Sequence, residues 1–179
     1  MTSLTAGILY RAAIVAALFA VFIIFVVCFS VVSEGQSSPP PIPIEVKQAA
    51  IVALKASSKD NLHEEAFKWG RDAAGNVLVS PSIPGAPCGT HVGLCESGFT
   101  PADPSIDEKF VTIEGFAHVH PYGTLEQQYV QPPSKVDIAV AASVPAGTIN
   151  IVIAAADKKI YFYDGTGVIA VVKWKEFIK

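Results

Sequence analysis

Two histidines two residues apart, in Phe116-Ala117-His118-Val119-His120-Pro121, are followed after a polar loop by Ser134-Lys135-Val136-Asp137. In an extended segment, residues two apart point the same way, so His118 and His120 can offer both rings to one metal ion. A carboxylate arriving from another element, Asp137, completes a three-ligand set of the catalytic kind and leaves a coordination position for water. A zinc ion so held acts as a Lewis acid and makes water nucleophilic near neutral pH, which suits amide hydrolysis. Two neutral imidazoles and one carboxylate leave the centre with positive charge, so a neutral or acidic carbonyl substrate is tolerated.

The elements that must position these groups are legible from periodicity. Residues 45–58 carry Val46, Ala49, Ala50, Ala53 and Leu54 at helical spacing and predict an amphipathic helix. Residues 64–70 and 76–79 flank Asp72-Ala73-Ala74-Gly75, the pattern of a hairpin whose Gly75 takes the left-handed turn position. After a Pro/Gly-rich loop, 110–120 predicts a strand with Val111, Ile113 and Gly115 on one face and Glu114, Phe116, His118 and His120 on the other. Ser134 is a good N-cap for a helix over 134–142, with Asp137 completing a variant capping box. Without the histidines ahead of it, Ser-x-x-Asp would be read as a helix start and nothing more. Three strands at 148–154, 159–163 and 168–172 close the chain, which makes an α+β domain built on a mostly antiparallel meander with helices packed on it.

The N-terminal stretch reads differently. Residues 12–32 contain no charge and would span about 30 Å as a helix, matching a bilayer's hydrocarbon core. They predict a transmembrane anchor over 1–33. Arg11 and the amino terminus before it and Glu34 after it favour a cytoplasmic N-terminus. A cleaved signal peptide is the competing reading, opposed by the length of the apolar run and the lack of an Ala-x-Ala site before Glu34. Lipidation at Cys28 is opposed by Val27, where a small residue is needed. Residues 34–44, with Pro39-Pro40-Pro41, form a Pro/Ser-rich linker, read as a polyproline spacer in preference to a proline-recognition ligand. The folded domain is then 45–179. A net charge of -3 gives no electrostatic reason to expect nucleic acid.

The ordered set of His118-Val119-His120-Pro121 with Ser134-Lys135-Val136-Asp137 resembles the JAB/MPN/JAMM metallopeptidase superfamily. More narrowly it is similar to an uncharacterised bacterial JAB-like domain found in toxin-associated proteins or standing alone. The likeness covers nearly all of 45–179 and implies a JAMM-like mixed or mostly antiparallel sheet with flanking helices, preceded here by one transmembrane helix. It implies zinc held by His118, His120 and Asp137, with Ser134 stabilising the oxyanion and a glutamate of the first strand as general base. Counting back from Gly75 favours Glu64, with Glu65 as the alternate. The two point to opposite faces of a strand, so only one can serve. Glu114 is a third candidate because it shares a face with His118. The loop from His120 to Ser134 is longer than the shortest family spacing, which metal binding tolerates because ligands need only converge in space.

The functional expectation is a membrane-anchored zinc metallohydrolase that cleaves a peptide or isopeptide bond, with a bacterial single-pass inner-membrane location and a periplasmic or extracytoplasmic domain. The alternative is a catalytically inactive JAMM-like scaffold docking an envelope protein. Cys88 and Cys95 have two readings: a second zinc site with His91 and His63, or a disulfide, which an oxidising compartment favours.

Overall fold

Val46, Ala50 and Ala53 recur at helical spacing and are all buried, which makes α1 (Ile44–Ser57) a helix with one face committed to a core. The computed structural model describes residues 38–85, 93–95, 109–123 and 127–179. After α1 come β1 (Glu65–Arg71), β2 (Val77–Val79), β3 (Ile83–Pro84), β4 (Gly93–Cys95), β5 (Thr112–His120) and β6 (Gln127–Tyr129). The chain then forms α2 (Lys135–Ala141), β7 (Ile149–Ala154), β8 (Lys159–Asp164), β9 (Gly167–Lys173) and α3 (Trp174–Phe177). The fold is α+β.

The main sheet runs β2-β1-β5-β7-β8-β9, with β3 also paired to β1. Its neighbours are antiparallel except β5 and β7, which run parallel. A parallel neighbour cannot be reached by a tight turn, so the chain crosses over one face of the sheet, and α2 lies in that crossover. A separate parallel pair, β4 with β6, joins the two long loops.

Alternation along the strands divides the core in two. One face carries Phe67, Trp69, Ala117, Val119, Ile151, Ile153, Ile160 and Phe162 and packs against α1 and Phe177 of α3. The other carries Val152, Ala154, Tyr161 and Tyr163 under Ala141 and Ile138 of α2. Gly115 is fixed by a close approach: a Cβ there would stand 2.1 Å from the Trp69 ring. Gly75 takes φ +82° in the β1–β2 turn, the left-handed conformation that the hairpin requires.

Three expectations need correction. Ile113 and Gly115 do not share a face as expected, because Gly115 pairs with Trp69 and Ile113 with Gly70 across a register shift; Val111 lies before β5, and it and Ile113 are 67% and 43% exposed. Pro39, Pro40 and Pro41 line a cavity of about 430 Å³ with Ile42, Phe162, Val172 and Phe177, so they lie against the domain and do not stand off it as a strut. The expected transmembrane helix and single-pass inner-membrane location are also withdrawn. Among the described residues no helix is long and apolar enough to cross a membrane. The longest, α1, has 14 residues and rises only about 21 Å. The 12–32 segment lies outside the described residues.

Candidate metal centre

β5 brings His118 and His120 to its C-terminal end on the α2 side of the sheet, and both are buried, at 8% and 4% exposure. Asp137 comes from the first turn of α2. Ser134 caps that helix reciprocally: its Oγ accepts from the Asp137 N–H at 3.2 Å, and its own N–H donates to Asp137 Oδ2 at 2.6 Å. The capping box therefore does two things at once. It starts the helix and fixes the carboxylate that faces the histidines.

His118 Nε2 lies 3.3 Å from Asp137 Oδ1, His120 Nε2 lies 3.5 Å from Asp137 Oδ2, and the two Nε2 atoms are 3.0 Å apart. Donors on a tetrahedral ion at bonds of roughly 2.0–2.1 Å are separated by about 3.3 Å. The observed separations straddle that edge length, so the three groups can hold a metal ion as they stand.

The second nitrogen of His120 is also committed. Its Nδ1 donates to the Gln131 carbonyl at 3.2 Å, which leaves the Nε2 lone pair facing the centre. Gln131 is itself buried and pinned by three hydrogen bonds. Its Nε2 donates to the carbonyls of Pro121 and Tyr129 at 3.0 and 3.2 Å, and its Oε1 accepts from the Ala156 N–H at 2.9 Å. Tyr163, from β8, meets the His118 ring edge-on with centroids 6.4 Å apart.

Charges in this buried space act strongly on one another. Burial alone would push the Asp137 carboxyl up, but hydrogen bonds from His118 and His120 and the His118 charge hold it well below the usual carboxylate range. Burial would lower the His118 imidazole, yet Asp137's hydrogen bond and charge, with a smaller contribution from Glu64, raise it above its ordinary value. Burial and the Asp137 and Glu64 charges push the Tyr163 phenol far up, so it stays neutral.

The glutamates separate clearly. Ala66 pairs with His118 across β1 and β5; carried two residues further, the same register sets Glu64 opposite His120, on the Ala66 and His118 face. Glu64 is buried at 5% exposure. Glu65 points to the other face, where its Oε2 accepts the Ser82 hydroxyl. Glu114 is bound to Arg71 Nε at 2.8 Å, four residues before His118 and so about 13 Å away along the strand. His63 is occupied by Asp60 on the α1–β1 loop. Cys88, His91 and the side chain of Cys95 lie outside the described residues, and with them both readings of the cysteine pair.

Gln131 and Tyr163 have no signal in the sequence. Gln131 is one polar residue in a proline-containing loop, and only the β7–β8 pairing shows that Tyr163 shares a face with His118. No family model matches the chain, and no curated protein and no solved structure matches it.

Proposed function

We propose that this chain is a zinc-dependent hydrolase of peptide or isopeptide bonds, of the JAMM type. The observation that carries the reading is the convergence of His118, His120 and Asp137 on one point, with the Glu64 carboxylate close enough to act on His118. Two imidazoles and a carboxylate are a donor set that suits zinc and keeps one position open. Zinc, when bound, supplies Lewis acidity and a nucleophilic water at neutral pH.

The chain's own groups supply the rest. Glu64 takes the proton of the attacking water and returns it to the leaving amine, the ordinary work of a positioned carboxylate. Ser134 Oγ accepts from Asp137 N–H and keeps its own hydroxyl proton to donate to the substrate oxygen as charge develops there. Gln131 holds the His120 ring, and the Ser134 N–H holds Asp137. Burial of the histidines limits access of bulk water to the reacting groups.

The test begins with metal content of the full chain beside a His118→Ala/His120→Ala variant. About one zinc per chain, lost in the variant, supports the site; a mixed peptide library read by mass spectrometry then tests hydrolysis. A folded protein that takes up no added zinc overturns the proposal. Zinc uptake without cleavage of any amide leaves a metal-binding scaffold in its place.

A further inference from the structure

One row of residues crosses four strands on the metal face. His120 on β5 pairs with Ala154 on β7, Ala154 with Lys159 on β8, and Lys159 with Lys173 on β9. Directly paired residues share a face. The neighbours confirm the parity, since Ile160 and Val172 pack into the α1 core and Tyr161 and Val171 into the α2 core. Both lysines therefore project from the side that carries the histidines.

Lys159 and Lys173 are exposed, and neither is in an ion pair among the described residues. Like charges directly opposite each other in a ladder are destabilising. An anionic group lying between them would remove that repulsion. Lys158 adds a third cation, held at φ 54°, a conformation that a residue with a Cβ adopts at a cost. The acid of this turn, Asp157, accepts the Tyr161 hydroxyl at 2.7 Å.

The lysine-bearing turn is fastened to the metal centre. The Ala155 N–H donates to the His120 carbonyl at 3.0 Å, and the Ala156 N–H donates to Gln131 Oε1 at 2.9 Å. At the usual strand spacing Lys159 and Lys173 lie about 10 and about 14 Å from His120 along the row. Ala154, between His120 and Lys159, is buried under α2, so a bound peptide takes a longer path and needs at least about three or four residues.

We propose that Lys159 and Lys173 form a subsite for an acidic residue of the substrate, at a fixed distance of at least about three or four residues from the bond that is cut. This rests on the hydrolase reading above and names its substrate class: peptides with a carboxylate side chain at that distance. The subsite raises association and fixes register, which is where exposed charges act most.

The full chain, loaded with zinc, is incubated with two peptide pools that differ only in Glu against Gln at randomised positions, and cut sites are read by mass spectrometry. Enrichment of Glu at one fixed distance, at least about three or four residues from the cut, is expected, reversed in Lys159→Glu/Lys173→Glu at unchanged zinc content. Cleavage without that enrichment, or enrichment that survives charge reversal, overturns the subsite. If no bond is cut, the hydrolase reading fails separately, and binding decides the subsite by fluorescence anisotropy with labelled Glu-rich and Gln-rich peptides. About tenfold tighter binding of the Glu-rich peptide at low salt, lost on charge reversal, supports it. Equal binding of the two peptides, or a preference that charge reversal leaves in place, overturns it.

Discussion

The Nε2 atoms of His118 and His120 stand 3.0 Å apart and face the same carboxylate. Two imidazole nitrogens hold that separation only if a proton or a metal ion lies between the lone pairs, since two bare lone pairs repel. The same geometry therefore has a protonated form and a metal-loaded form, which differ in their dependence on pH.

In the metal-free protein His118 and Asp137 make a stability window. Asp137 is depressed in the fold, so its contribution is present above its unfolded value of about 3.9 and is lost as pH falls through the folded value. His118 is raised, so its contribution is complete below about 6.5 and is lost as pH rises through its folded value. Thermal melts of chelator-treated protein should show the pair's contribution at full strength between about pH 4 and 6.5. Asp137→Asn should flatten the profile on both sides.

Metal loading should follow the opposite trend. Ligands must be deprotonated, so zinc affinity rises with pH across the His118 titration and binding releases protons. Isothermal titration in two buffers of different ionisation heat measures that release directly. A pH-independent affinity would mean the ion binds elsewhere.

Gln131→Leu removes the anchor of the loop whose carbonyl orients His120. Outer-shell losses of this kind lower metal affinity by about 10–100-fold, and competition with a chromogenic chelator would show it. The Pro121 and Tyr129 carbonyls and the Ala156 N–H lose their partner as well, so the melting temperature should fall in the metal-free protein too.

Glu64→Gln and Glu65→Gln should part company. The first keeps the zinc and loses hydrolysis by about 100-fold or more, the usual worth of a general base. The second disturbs only the Ser82 hydrogen bond on the far face and should leave turnover intact. Equal loss in both variants would remove Glu64 from its assigned role.

Gly115→Ala tests the frame beneath the site. The new methyl would overlap the Trp69 ring, in a core where that ring is fully buried. Overpacking of this sort costs about 1–3 kcal/mol, readable as a lowered denaturant midpoint.

Periodicity made the frame of this fold legible where residues alternate cleanly. The α1 helix, the Gly75 hairpin, the Ser134-capped helix and the three closing strands follow from local pattern alone. The histidine pair was visible because spacing of two on a strand has one geometric meaning. What the pattern lacked was partnership. Nothing local says that β5 pairs parallel with β7, that Arg71 holds Glu114, or that a loop glutamine supports His120; each depends on residues distant in sequence. The register shift that parts Ile113 from Gly115 is likewise a property of two strands together.

The parallel crossover from β5 through α2 to β7 gathers the candidate ion ligands without the outer edge of the sheet. His118, His120 and Asp137 all belong to this single contiguous unit, whereas Glu64 reaches them only when β1 docks on the other edge of β5. The three residues that could hold an ion need only the crossover, whereas Glu64 needs the β1–β5 edge as well. On the proposed hydrolase reading, loss of the β1–β5 edge alone would leave ion capture in place and remove the proton acceptor.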